Sequence, residues 1–294
     1  LKGILNILKP PGMTSHDVVS RVRKKTRIKK VGHTGTLDPN AAGVLPICIG
    51  QATKISQFLL DSTKRYRAEL TLGIQTDTQD TYGSILEEKE VKVSQDEIKK
   101  AILSFVGEYH QIPPMYSALK VKGKKLYELA RQGIEIDREA RKVQIHQINI
   151  ISMVEDKVLF DVVCSKGTYI RTLCHDIGRV LGCGGVMSFL LRTATHNFDI
   201  ESAITLEELH ETEEIEAYLK PIDFPLDHIL KINLDASYEK AALNGNRIYI
   251  KDNLYSIPTE TEVRIYVEDD FIGIGNIKED HEKKKYVKFS RLFT

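Results

Sequence analysis

The chain has 294 residues, a 41% hydrophobic fraction and a formal net charge of +1. That length suits one large domain with a small one, and the apolar content is enough for a packed core. No stretch is long and apolar enough to span a bilayer, which speaks against a membrane partner. The four cysteines show no C-x-x-C spacing and suit a reducing cytoplasm.

The near-zero net charge conceals a segregation. Residues 1–60 hold ten Lys or Arg against two acids, Asp17 and Asp38, whereas residues 201–216 hold seven Glu and no Lys or Arg. The basic excess includes the run R-V-R-K-K-T-R-I-K-K from Arg21 to Lys30. Such a run is either a solvated helix face or a surface for a polyanion.

In chain order, residues 2–8 read as a short apolar strand turned by Lys9-Pro10-Pro11-Gly12. The opening Leu-Lys-Gly-Ile-Leu-Asn lacks a signal-peptide shape. Thr14 and Asp17 form a capping box for a helix with Val18, Val19 and Val22 as its buried stripe. The next stretch, V-G-H-T-G-T-L-D-P-N-A-A-G-V-L-P-I-C-I-G, places Gly32, Gly35, Gly43 and Gly50 around a single carboxylate, Asp38. Glycines this dense break a helix and allow close approach of a ligand, so the stretch reads as a shaped turn entering a buried strand over 44–49. Asp38 followed by Pro39 fits a helix N-cap, and it equally fits a catalytic carboxylate on a rigid turn. His33, Thr34 and Thr36 add hydrogen-bonding groups without a second negative charge.

Residues 51–60 read as a helix with Ile55, Phe58 and Leu59 inward. Residues 65–73 alternate, with Tyr66, Ala68, Leu70 and Leu72 on one face of a half-buried strand. The polar loop from Thr76 to Gly83 follows, and Asp77 and Asp80 suit turn and hydrogen-bond roles there. Ser94 and Glu97 cap a helix running to Phe105. After Pro113-Pro114, residues 117–133 carry Gly123 and five Lys or Arg, reading as a mobile basic insertion with a short helix ending at Gly133. Residues 144–151 and 158–164 read as strands. In C-S-K-G-T-Y-I-R-T-L-C-H-D-I-G-R an extended chain would put Tyr169 and Arg171 on one face, with Leu173, Ile177 and Val180 inward on a helix after it. Thr205 and Glu208 cap an exposed acidic helix. Past Pro221–Leu230 the pattern changes to a short helix over 237–243, an Asn244-Gly245 turn and strands over 247–250, 263–267, 271–274 and 286–289. This is the pattern of a small β-rich unit, giving domains of 1–228, with an insertion near 117–142, and 229–294.

Four motifs carry a family resemblance. G-H-T-G-T-L-D-P-x-A-x-G-V-L-P is present without a gap, together with K-P-x-G-M-T-S at Lys9 to Ser15, P-P-x-Y-S-A-x-K at Pro113 to Lys120 and G-T-Y-I-R at Gly167 to Arg171. The chain resembles the bacterial tRNA pseudouridine-55 synthases of the TruB family. The resemblance implies an α+β fold with a mixed, mostly antiparallel sheet flanked by helices, the pseudouridine synthase fold, and a PUA-like C-terminal RNA-binding module. It implies isomerisation of uridine 55 in the tRNA TΨC loop by base flipping, with no cofactor, no metal and no guide RNA, in a monomer. It also implies roles for residues of this chain: Asp38 as nucleophile, Arg171 as its ion-pair partner, Tyr66 stacked on the target base. His33, Tyr169, Leu191, Lys9 and Thr36 fall to substrate binding, and the basic insertion to clamping the RNA. Two other readings stay open: an RNA-guided synthase like the dyskerin relatives, and a tRNA-folding chaperone in which Asp38 matters little.

Overall fold

The computed structural model describes residues 1–60, 63–121, 123–250 and 254–293. Lys122, part of the basic insertion, lies outside the described residues. Among the described residues ten strands form one mixed sheet. Its main path runs Leu219–Lys220, Gly3–Lys9, Ala42–Ile49, Gly185–Thr195, Lys64–Leu72, Lys157–Cys164, Arg141–Val154 and Gly107–Gln111. Neighbours on this path are antiparallel except at one seam. There Gly185–Thr195 meets Ala42–Ile49 in parallel, with Leu191 opposite Ala42 and Arg192 opposite Gly43. Gly43 has φ +125, and a Cβ on it would stand 2.3 Å from the Arg192 carbonyl oxygen. Only glycine lets the two strands close there.

Helix Ser15–Thr26 forms as its cap predicts: Thr14 accepts from the Asp17 amide and Asp17 accepts from the Thr14 amide at 2.8 Å. Val18, Val19 and Val22 pack on Leu5, Ile7, Leu45 and Ile47. Helix Ile170–Leu181 covers the other half of the sheet. It approaches strand Gly185–Thr195 so closely that a Cβ on Gly178 would lie 2.1 Å from the Gly185 nitrogen.

Several elements differ from the sequence reading. No helix follows Asp38. The Ala41 amide donates back to the Asp38 carbonyl at 3.1 Å, closing a β-turn with Pro39 at its second position. Residues 50–60 split into a 3₁₀ turn, Gly50–Ile55, and a short helix, Ser56–Leu60. Arg171 sits inside the helix that begins at Ile170, so it and Tyr169 do not alternate on an extended strand. Val180 is 60% exposed: the buried face runs through Ile170, Leu173, Cys174, Ile177 and Gly178, and Val180 falls off that 3.6-residue stripe. The insertion has its own small core of Met115, Leu126 and Leu129, and its boundary is nearer 140, because Arg141 and Lys142 already pair with Gln111 and His110. The sequence pattern leaves several strands unannounced, among them Gly107–Gln111, Gly185–Thr195 and Leu230–Leu234.

Lys9 also departs from its expected contact with substrate. Its side chain is fully buried, and its ammonium donates to the carbonyls of Pro10 (2.9 Å), Met13 (2.7 Å) and Pro39 (3.0 Å). It ties the first turn of the chain to the turn that carries Asp38. Burial pushes its pKa from 10.5 down to about 8, opposed by attraction to Asp38.

The C-terminal strands form a second, five-stranded sheet in the order Leu230–Leu234, Glu262–Val267, Asp270–Glu279, Lys285–Leu292 and Ile248–Tyr249. It does not stand apart. Ile274 and Phe293 share a buried cluster with Ile4, Val44, Cys48, Ile55 and Phe198 of the large sheet and its flank.

Two outcomes follow from this packing. Phe293→Ala should cost about 3–5 kcal/mol, the usual range for emptying a buried aromatic site, and should unfold both sheets in one urea transition. A loss below about 1 kcal/mol would show that the shared cluster holds little. Lys9 gives a pH test. The unfolded chain holds the Lys9 proton up to pH 10.5 and the folded chain only to about 8, so stability rises with pH between those values. Urea melts of wild type against Lys9→Met should show the wild type gaining on the variant across that window. A constant difference would contradict the burial of a charged Lys9.

Candidate active site

The turn 34–41 is built from both sides. Ser15, buried at the start of its helix, accepts from the Leu37 amide at 2.9 Å. Thr34 is buried, and its amide donates to the Pro46 carbonyl at 3.2 Å. Asp38 projects from this braced turn with 41% of its side chain exposed.

Arg171 faces it. Its Nε lies 2.8 Å from Asp38 Oδ2, and the arginine side chain is only 5% exposed. The Nε–H has no aligned hydrogen-bond acceptor, so the contact is one of charge rather than a directed bond. The two other nitrogens are directed: Nη1 donates to the Thr78 carbonyl at 3.0 Å and Nη2 to the Tyr116 carbonyl at 2.8 Å. Asp80 Oδ2 stands 4.0 Å from Nε, while its Oδ1 accepts from the Thr78 hydroxyl and the Tyr82 amide. Asp77 accepts from the Ser84 amide at 2.8 Å. Asp77 therefore serves its own loop, and Asp80 divides its two oxygens between its loop and a longer contact with Arg171.

The helix carrying Arg171 is fixed at its start by a residue that the sequence did not signal. Gln111, 1% exposed, donates to the Tyr169 carbonyl at 2.9 Å and accepts from the Tyr169 amide at 2.8 Å. The Tyr169 ring is half-buried, with its hydroxyl toward Ser117 and Arg171 among its charged neighbours. One turn on, Thr172 donates to Gln79 at 2.7 Å, docking the 76–83 loop on the same helix.

Tyr66 is buried on the central strand, directly across from Arg192. Burial pushes its phenol up to about 12, and the Arg192 guanidinium, hydrogen-bonded to it, pulls the other way. Arg192 is the main functional candidate that the sequence reading passed over in favour of its neighbour Leu191. It is 1% exposed, and it donates to the Val44 carbonyl at 2.8 Å and the Gly35 carbonyl at 3.1 Å. It thereby joins the base-stacking candidate to the Asp38 turn. Leu191 is half-buried on the seam opposite Ala42. His33 is half-buried, its Nδ1 is buried without a partner, and burial lowers its pKa, so the imidazole is neutral near pH 7. Thr36 is exposed two residues before Asp38. The structure thus brings Asp38, Arg171, Tyr66 and Tyr169 near one another, with Asp38 among the charges acting on both tyrosines. Among the described residues no cluster of His, Cys, Asp or Glu side chains could hold a metal ion.

The chain is similar to known proteins along its whole length. The profile described as TruB family pseudouridylate synthase (N terminal domain) matches residues 23–170, and that of the tRNA pseudouridylate synthase B C-terminal domain matches residues 171–231. The chain is 63% identical to tRNA pseudouridine synthase B of Alkaliphilus oremlandii (strain OhILAs), over 99% of this chain and 98% of that one. It is 48% identical to the protein of the same name from Clostridioides difficile (strain 630), over 99% of both. Among solved structures it resembles a Cbf5-Nop10-Gar1 complex at a TM-score of 0.74 and 28% identity, covering 99% of this chain and 85% of that one. An H/ACA RNP bound to a substrate RNA containing 2′-deoxyuridine gives a TM-score of 0.73 at 26% identity, covering 99% and 85%. The chain belongs to the TruB family of pseudouridylate synthases, enzymes that isomerise uridine 55 of tRNA.

Proposed function

We propose that this chain carries out that isomerisation on the TΨC stem-loop of tRNA with Asp38 as nucleophile, unaided by a guide RNA or a partner protein. The observation that supports the assignment is the Asp38–Arg171 pair, in which a half-exposed carboxylate is held at 2.8 Å by an almost fully buried arginine. The exposed carboxylate can meet a substrate, and the buried cation fixes where it points. Its rival Asp77 is committed to its own loop, and Asp80 is 15% exposed, bonded to its loop through Oδ1 and 4.0 Å from Arg171 through Oδ2.

The reaction breaks the bond from C1′ of the ribose to N1 of uracil and forms one from C1′ to C5. N1 gains a proton and C5 loses one, so the atoms balance without a redox partner. The target nucleotide must first leave the loop stack, which costs a few kcal/mol. Stacking on the Tyr66 ring would return about 1–3 kcal/mol. Tyr169 and Leu191 line the base pocket, His33 and Thr36 meet the RNA beside the turn, and Lys9 and Arg192 hold that turn from behind. The insertion's Lys120, Lys124, Lys125 and Arg131 clamp the stem-loop, and the C-terminal sheet adds RNA affinity.

The test uses purified protein, unmodified tRNA and a hairpin carrying only the TΨC stem and loop, with pseudouridine mapped and nothing else added. Wild type is expected to modify both RNAs. Asp38→Asn should bind within about threefold of wild type and lose more than about a thousandfold in rate, since it keeps shape and loses the nucleophile. Turnover within tenfold of wild type would defeat the assignment. Binding without product by wild type would favour the chaperone reading, and product only with a guide would favour the RNA-guided one.

Arg171→Lys should be nearly as inactive as Arg171→Met. A lysine keeps the charge but cannot reach Asp38 and the carbonyls of Thr78 and Tyr116 together. Single-turnover rates on tRNA decide it: a lysine variant within tenfold of wild type would reduce Arg171 to a point charge.

A further inference from the structure

One cavity on the described surface is lined by none of the residues of the Asp38–Arg171 pair. It has a volume of about 440 Å³ and lies behind the strand Val31–His33. Its wall carries Arg23, Lys29, Lys30 and His33, and its floor includes Thr53 and Ser56. No Asp or Glu lines it.

The basic run that borders it is divided in its uses. Lys25 turns away to the His210 carbonyl at 2.7 Å, beside the acidic helix. Arg23 is pinned by one nitrogen to the Val31 carbonyl at 3.0 Å, and its Nε is buried with no partner. Lys29 and Lys30 are exposed and make no ion pair among the described residues. His33 adds a second buried nitrogen without a partner, Nδ1. The hydroxyls of Thr53 and Ser56 donate to the carbonyls of Gly50 and Thr53, so an incoming ligand would be bound by the cations.

The geometry points to a second RNA subsite here: a pocket that holds a backbone phosphate of the strand flanking the reacting nucleotide. The inference rests on the synthase reading above and extends it. An anion is selected because Arg23, Lys29 and Lys30 line the pocket and no carboxylate does. An RNA phosphate is favoured over a free ion because the strand that lines the pocket runs on into the turn that carries Asp38. His33 ends the strand that lines the pocket and opens the turn that presents Asp38 five residues later. A strand of RNA entering the Asp38 opening would lay its neighbouring phosphate across His33 toward Lys29 and Lys30.

The test is tRNA binding by Lys29→Ala/Lys30→Ala, measured over a range of KCl and compared with Lys99→Ala/Lys100→Ala, an exposed pair on helix Gln95–Leu103. Losing two phosphate-directed lysines should make the slope of log affinity against log salt shallower by about 1–2 and raise Kd about tenfold near 0.1 M salt. KM for pseudouridine formation should rise in step with Kd. Gly32→Glu is a second probe. Gly32 lines the pocket, has no left-handed φ, and a Cβ there meets nothing within 4 Å, so a carboxylate can enter without moving the backbone. It should weaken tRNA binding more than the double alanine. Affinity and salt slope equal to those of the control pair would overturn the inference. So would a double variant that loses calorimetric binding of inorganic phosphate while holding tRNA as tightly as wild type, since the site would then take the free ion. Product formation by wild type judges the synthase reading separately, so the two failures are distinguishable.

Discussion

The Arg171 guanidinium ties together three segments that are far apart in sequence: the Asp38 turn, the 76–83 loop through the Thr78 carbonyl, and the start of the insertion through the Tyr116 carbonyl. A planar fork can hold two carbonyls at fixed angles while its charge faces a carboxylate, which a flexible ammonium cannot. The fork is placed by the helix beneath it. Gln111 fixes the helix start, and Gly178 lets the helix settle onto the strand at Gly185. A shift of any of these would move the guanidinium, and Asp38 with it. Such coupling suits the role proposed for Asp38, since a nucleophile must be held in a near-attack geometry.

The interior around the site is richer in cations than in acids. Lys9 and Arg192 are both buried and neither forms an ion pair among the described residues. A buried charge without a counter-ion is costly unless polar groups solvate it. Here carbonyls do so: three around Lys9, and two around Arg192 together with the Tyr66 hydroxyl. Two of those five carbonyls, Pro39 and Gly35, belong to the turn that carries Asp38, so the cations help set the shape of the site.

The two motifs bearing Asp38 and Arg171 were legible in the sequence because they combine unusual residues at fixed spacing, and the capping boxes at Thr14, Ser94 and Thr205 were legible because capping is local. The strand Gly185–Thr195 was not. It is buried on parts of both faces, and register shifts after Met187 and Arg192 break the period-two pattern that would have announced it. Arg192 was missed with it, because a buried arginine looks like a surface base until the strand around it is known. Lys9 misled for the same reason: three carbonyl partners from two turns cannot be read from one lysine. Gln111 gave no signal, since its partners are the backbone atoms of a residue 58 positions away.

The strand Ala42–Ile49 shows why the two sheets act together. Leu45, Ile47 and Ile49 face the helices Ser15–Thr26 and Leu206–Glu211, while Val44 and Cys48 face the cluster that includes Ile274 and Phe293. Burial on both sides explains its continuous apolar run, where a strand with one wet face would alternate. The same strand begins at the seam, where Gly43 lies against the Arg192 backbone and the Val44 carbonyl receives the Arg192 side chain. The C-terminal sheet therefore presses on the back of the strand whose first residues fix Arg192, and Arg192 in turn fixes Tyr66 and the Gly35 carbonyl. Packing at the far end of the chain reaches the reacting turn through a rigid strand and one buried guanidinium.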